Sequence, residues 1–121
     1  MREIKFRGQD GQGKWHYGDL LTLRNRICII DPSTGMNYQI KAHTLGQYIG
    51  LKDKNGVEIF EGDVVTGLFN YEQITGYIFY GSDATFFIRR DGLWGIGLNN
   101  AEDWLTVIGN IHDNPELLGE A

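Results

Sequence analysis

"TLGQYIGLKDKNGVEIFEGDVV", residues 44–65, gathers Gly46, Gly50, Gly56, Gly62, an Asn-Gly pair and alternating aliphatics into one span. It is either a loop that holds a ligand or the bend of a sheet, and the whole chain is read differently in each case. Counted from Asp53 as a calcium loop, its glycine falls at the fourth position and not the sixth. Aligned on Gly56 instead, Gly62 stands where the bidentate glutamate belongs. The calcium pattern fails on both counts. As turn chemistry the stretch is coherent: Asn55-Gly56 suits a type I′ hairpin, whose two central positions both need positive φ. Val57 and Ile59 then alternate with Glu58 and Phe60, and Gly62-Asp63 turns the chain into Val64 and Val65.

The same rhythm extends outward. "REIKF" sets Ile4 and Phe6 on one face against Glu3 and Lys5, the period of a half-buried strand. "GQDGQG" reads as a turn, and "KWHYGDLL" resumes with Trp15 and Tyr17 on a common face. "RICIID" is a continuous apolar run, as in a strand covered on both faces. Cys28 lies inside it, where a packed thiol is expected over a reactive one, because apolar surroundings raise a thiol's pKa. "MNYQIKA" alternates Met36, Tyr38 and Ile40 with polar residues. "QITGYIFYG", "ATFFIRR", "LWGIGL" and "WLTVIGNI" are each rich in β-branched or aromatic residues, and Asp91-Gly92 predicts a tight hairpin. Only "DNPELLGE" looks helical, with Asn114 as cap, Pro115 at the first position and Gly119 ending the turn. The expectation is a mostly β fold, a small antiparallel barrel with a short C-terminal helical turn.

A chain of 121 residues is one ordinary domain in length. It is 41% hydrophobic and 22% charged, with no apolar run long enough to span a bilayer. Glycine, at 17 residues, is about twice its ordinary share and favours many short strands. "MREIKFRGQD" has no apolar stretch behind its basic residues, so no secretory signal is expected. Cys28 is the only cysteine, which excludes an internal disulfide and multi-thiolate metal sites and fits a cytoplasmic setting. A net charge of −5 disfavours a dedicated nucleic-acid binder. Residues 1–54 nevertheless hold nine of the eleven lysines and arginines against five acids, a local charge of +4. Residues 55–121 hold only Arg89 and Arg90 against eleven acids, a local charge of −9. This polarity is either internal neutralisation or a surface for a partner or a second copy.

No catalytic constellation emerges. "GQDGQGKW", residues 8–15, satisfies G-x-x-x-x-G-K but places Trp15 where a magnesium ligand must stand, and no helix follows. "GLWGIG" reverses the dinucleotide glycine spacing. His16, His43 and His112 lack partners at metal spacing, and Ser33 and Ser82 lie in turns outside any nucleophile elbow. Glu58 with Glu61, and Glu102 with Asp103, read as solvated faces. One group combines cations with an aromatic at a loop tip: Arg89, Arg90 and Trp94 around Asp91-Gly92. That is the composition of a binding hot spot or a base-stacking platform, set against the plain reading of a hairpin whose arginines neutralise nearby acids.

"REIKFRGQD", "LGQYIGLKDKNGVEIFEGDVV" and "VIGNIHDNPELL" together resemble the YopX family of phage and prophage proteins. The three segments occur in the family's order, while Gly8-Gln9 departs from the Ala-Trp expected after "KFR". The resemblance implies a bacterial or phage cytoplasmic protein with an SH3-like β-barrel in its C-terminal part, and carries no cofactor or catalytic residue. The resulting division is an N-terminal β subregion, residues 1–45, packed on an SH3-like barrel domain, residues 46–121. The functional expectation is a non-enzymatic interaction module acting through protein contacts or self-association, with no cofactor, metal or membrane partner. The alternative is a nucleic-acid-binding accessory protein using the basic first half or the turn of Arg89, Arg90 and Trp94.

Overall fold

Short runs of β-branched and aromatic residues, cut by glycine and aspartate turns, fold as β-strands. The computed structural model describes residues 3–118. Its strands are β1 (Phe6–Gln9), β2 (Trp15–Leu23), β3 (Arg26–Ile30), β4 (Asn37–Gln39), β5 (Gly46–Lys52), β6 (Glu58–Phe60), β7 (Asp63–Phe69), β8 (Glu72–Tyr80), β9 (Phe86–Arg89) and β10 (Thr106–Asn110). A single helical turn, α1 (Ala101–Trp104), precedes β10, and 3-10 turns occupy Ala42–Thr44 and Pro115–Leu118. The strands form two antiparallel sheets, ordered β4-β3-β2-β1-β5-β6 and β10-β7-β8-β9. The chain divides into two compact units, Met1–Tyr48 and Ile49–Ala121.

In the first unit β1 pairs with β2 from Phe6↔Gly18 to Gln9↔Trp15, and β3 lies between β2 and β4. Gly8 is required where it stands, since a Cβ there would collide with the Ile40 side chain. The turn from β1 to β2 is organised by Asp10. Its Oδ1 accepts the N–H groups of Gln12 and Lys14 at 2.9 and 3.0 Å, and Gly13 takes φ +88°. Cys28 is buried, as its apolar neighbours lead one to expect.

In the second unit the remainder of β5 turns through residues 53–57 and returns as β6. β7 pairs with β8 through a two-residue turn, from Phe69↔Glu72 to Val64↔Tyr77. β9 covers only the far half of β8, from Tyr80↔Phe86 to Tyr77↔Arg89. The core is one cluster around Ile59, Val65, Ile78, Ile88 and Leu105, all at most 1% exposed. Burying each such aliphatic side chain contributes about 1.5–3 kcal/mol.

Several expectations are corrected. The sheet containing β7 and β8 ends in the open edge strands β10 and β9, so no barrel closes. Positive φ falls on Gly56 (+80°) and not on Asn55, so the "KNG" turn is not type I′. A Gly56 N–H to Asp53 carbonyl bond closes a four-residue turn there, with the glycine in the left-handed region after it. The type I′ pattern sits instead at Asn70 and Tyr71, both with positive φ (51° and 68°). "LWGIGL" makes one bridged pair, Ile88↔Ile96, because its glycines and exposed aromatic leave no continuous ladder face. Ile4 is 69% exposed and β1 begins later, at Phe6. Trp104 closes α1 where a strand is expected. Asn114 turns its side-chain oxygen back to the Asn110 N–H at 3.2 Å, away from the helical turn it was expected to cap. The expected stop at Gly119 lies outside the described residues.

Candidate functional site

β9 ends at Arg89, and the following loop, residues 90–95, is pinned at its base. Ile88 and Ile96 exchange two backbone hydrogen bonds of 2.8 and 3.0 Å. Within the loop the Leu93 N–H donates to the Arg90 carbonyl at 3.2 Å, with Gly92 at φ +72°. Arg90 Nη2 donates to the Trp94 carbonyl at 3.0 Å and draws the loop closed. The tip that results is apolar and solvent-facing: Trp94 is 91% exposed and Leu93 62%. Beside it lies a shallow concavity of about 690 Å³ lined by Phe87, both arginines and Trp94.

The three residues singled out in sequence lie at the end of β9 and on the loop that follows it, in different roles. Arg89 lays its guanidinium over the Phe79 ring, 4.7 Å from the centroid. Phe79 in turn meets Phe87 edge-on at 5.7 Å and Tyr77 at 6.2 Å, so Arg89 extends a row of aromatics on the sheet face. Arg90 is a tether. Trp94 presents its ring to solvent, and a desolvatable aromatic on a loop tip tied at its base is what an interface anchor requires.

Asp53, in the stretch that decides the fold, is buried and structural. Its Oδ1 accepts the N–H groups of Asn55 and Val57 at 2.8 and 2.9 Å, and its Oδ2 accepts that of Val107 at 2.9 Å. Burial works against the charge, but the N–H bonds from Val107, Val57 and Asn55 outweigh it and hold the carboxyl below its ordinary range. Those bonds join the turn to β10 and leave no oxygen directed at a ligand.

Two further features escape sequence reading. His16 Nε2 lies 2.9 Å from Asp10 Oδ2, and its ring stacks on Tyr38 at 3.9 Å with 13° between planes. The His16 hydrogen bond, followed by the Lys14 N–H, brings the Asp10 carboxyl down to about 2. With its carboxylate tied to two turn amides as well, this pair organises a hairpin. Tyr71 is 99% exposed while holding left-handed backbone at the tip between β7 and β8. Among the described residues no three histidines, cysteines or carboxylates converge as a metal site. No helix among them is long and apolar enough to cross a membrane.

A family model described as YopX protein matches residues 5–119. The crystal structure of protein EF1440 from Enterococcus faecalis is similar over 98% of this chain and 99% of that one, with 29% identity and a TM-score of 0.63. No curated protein matches the chain.

Proposed function

The chain belongs to the YopX family, and from that premise we propose that it is a non-enzymatic interaction module of phage or prophage origin, acting in the bacterial cytoplasm through protein contacts. The observation that supports this most is the loop at 90–95: an almost fully exposed Trp94 beside an exposed Leu93, on a backbone fixed by the bridge Ile88↔Ile96 and the Arg90 tether. Rigid presentation lowers the ordering cost of association, and a buried tryptophan is among the strongest interface anchors. In this reading the open sheet β10-β7-β8-β9, bulged in β10 between Val107 and Gly109, is an SH3-like arrangement that displays the loop. Self-association through the same loop is its second mode.

Affinity capture from host lysate, with and without nuclease, tests the proposal. Proteins retained by the wild-type chain after nuclease and lost with Trp94→Ala support it. Retention unchanged by the substitution overturns the loop as the contact. The nucleic-acid alternative draws on the aromatic row with Arg89 stacked at its end. The eleven acids in residues 55–121 weigh against it. Titration with labelled single- and double-stranded DNA or RNA at about 50 mM salt decides that point, and no binding there eliminates the alternative.

A further inference from the structure

The two-residue turn at Asn70 and Tyr71 makes Phe69↔Glu72 a hydrogen-bonded pair of the antiparallel ladder. By alternation Glu72, Ile74 and Gly76 direct their N–H and C=O groups to β7, while Gln73 and Thr75 direct theirs to the opposite edge. β9 is the strand on that edge, and its pairing stops at Tyr77↔Arg89. It stops because the chain after Arg89 leaves the edge of β8 and passes close over Gly76. A Cβ there would lie 2.6 Å from the Arg89 carbonyl oxygen and 3.0 Å from Arg90 Cγ, so only glycine lets the backbone cross so closely. Beyond that crossing, among the described residues, the edge of β8 at Gln73 and Thr75 faces a groove of about 280 Å³ and no strand.

Two properties of the groove indicate its occupant. Unpaired backbone groups spaced two residues apart along a strand edge match the main chain of an extended peptide, which offers a donor and an acceptor at the same spacing. Arg89 and Arg90 line the groove, and neither is in an ion pair among the described residues. Leu93 and Leu118 add apolar lining, and Glu72 and Asp91 line the groove as well.

We infer that the edge of β8 at Gln73 and Thr75 receives an extended acidic segment of a partner protein as an added strand, with a side-chain carboxylate of that segment on Arg90. This deepens the interaction-module reading and rests on it: the loop at 90–95 supplies the anchor, and the strand edge supplies direction and register. The added strand takes the place along β8 that β9 leaves.

A displayed library of random linear dodecapeptides, panned on the whole protein, provides the probe. Enriched peptides carrying an acidic residue between β-branched ones are expected, and enrichment without an acidic position overturns the inference. Hydrogen exchange of the wild-type chain with the selected peptide must show new protection at the Gln73 and Thr75 amides. Unchanged exchange at both overturns it. Thr75→Pro removes an edge-facing N–H, together with the Thr75 hydroxyl that lies 3.3 Å from Thr66 Oγ1, and should weaken the peptide at least about tenfold, as should Arg90→Gln. Equal binding by both variants refutes the site. The readout at residues 73 and 75 needs only wild-type protein, so it stands if a variant fails to fold. Trp94→Ala separates the two claims: lysate capture unaffected by it, with residues 73 and 75 still protected by peptide, removes the loop and keeps the edge. Loss of capture with those amides unprotected does the reverse.

Discussion

In the turn at residues 10–14, as in the turn at 53–57, one aspartate oxygen accepts the N–H groups two and four residues on. In both, the glycine three residues on takes positive φ and donates its N–H to the aspartate carbonyl. They part at the second carboxylate oxygen. That of Asp10 meets the His16 ring near the surface, whereas that of Asp53 meets the Val107 N–H from a residue only 2% exposed. The D-x-x-G signature writes the turn in each case. What the aspartate is worth to the fold depends on the strand its other oxygen finds, and that strand lies 54 residues away in sequence for Asp53 and within the same hairpin for Asp10.

The widest separation should come from removing each carboxylate. Asp53→Ala leaves three N–H groups without their acceptor and should cost about 3–5 kcal/mol in chemical unfolding. Asp53→Asn should lose about half of that, because one oxygen still accepts while the amide nitrogen faces the Val107 N–H. Asp10→Ala should produce a clearly smaller shift of the midpoint. Equal losses at the two positions would break the distinction.

Backbone substitutions should instead show the two turns to be alike. Gly13→Ala and Gly56→Ala each force a side chain into left-handed backbone, at φ +88° and +80°, and should each cost about 1 kcal/mol. Nothing lies within 4 Å of a Cβ added at Gly56, so the conformation alone sets the loss there.

Acid should give the smallest effect and a definite sign. Asp10 is held at about 2 in the folded chain, below the unfolded aspartate value of about 3.9. Its contribution is therefore complete above pH ~4 and is lost as pH falls through about 2. Asp53, also lowered, acts in the same direction. Urea midpoints measured across that window should fall on acidification, and Asp10→Ala should flatten part of the slope.

Which features were legible in the sequence follows from the range of the forces involved. Periodicity and turn residues locate β2, β3 and β8, because alternation and punctuation are local. The "KNG" bend is legible as a bend, but its turn type is not, since Asp53 recruits Asn55 and Val57 and keeps Asn55 out of positive φ. The barrel expectation fails at β9 for a related reason: closure depends on which edges meet, and no residue pattern encodes that directly. Arg89, Arg90 and Trp94 are found in sequence by composition, yet their separate roles as stacker, tether and exposed tip depend on Phe79 and on the Trp94 carbonyl. Nothing in "YEQITGY" marks its Gln73 and Thr75 as a strand edge, because that property belongs to the place where β9 stops.

Under the proposed function, the two aspartate turns carry stability and the loop at 90–95 carries contact. Capture of host proteins after nuclease treatment by the wild-type chain and by Trp94→Ala, at matched thermal midpoints, tests that division most directly. Specific proteins held by the wild type and absent from the variant are expected, with the midpoint unchanged because Trp94 is 91% exposed. The same proteins retained by both chains would contradict it.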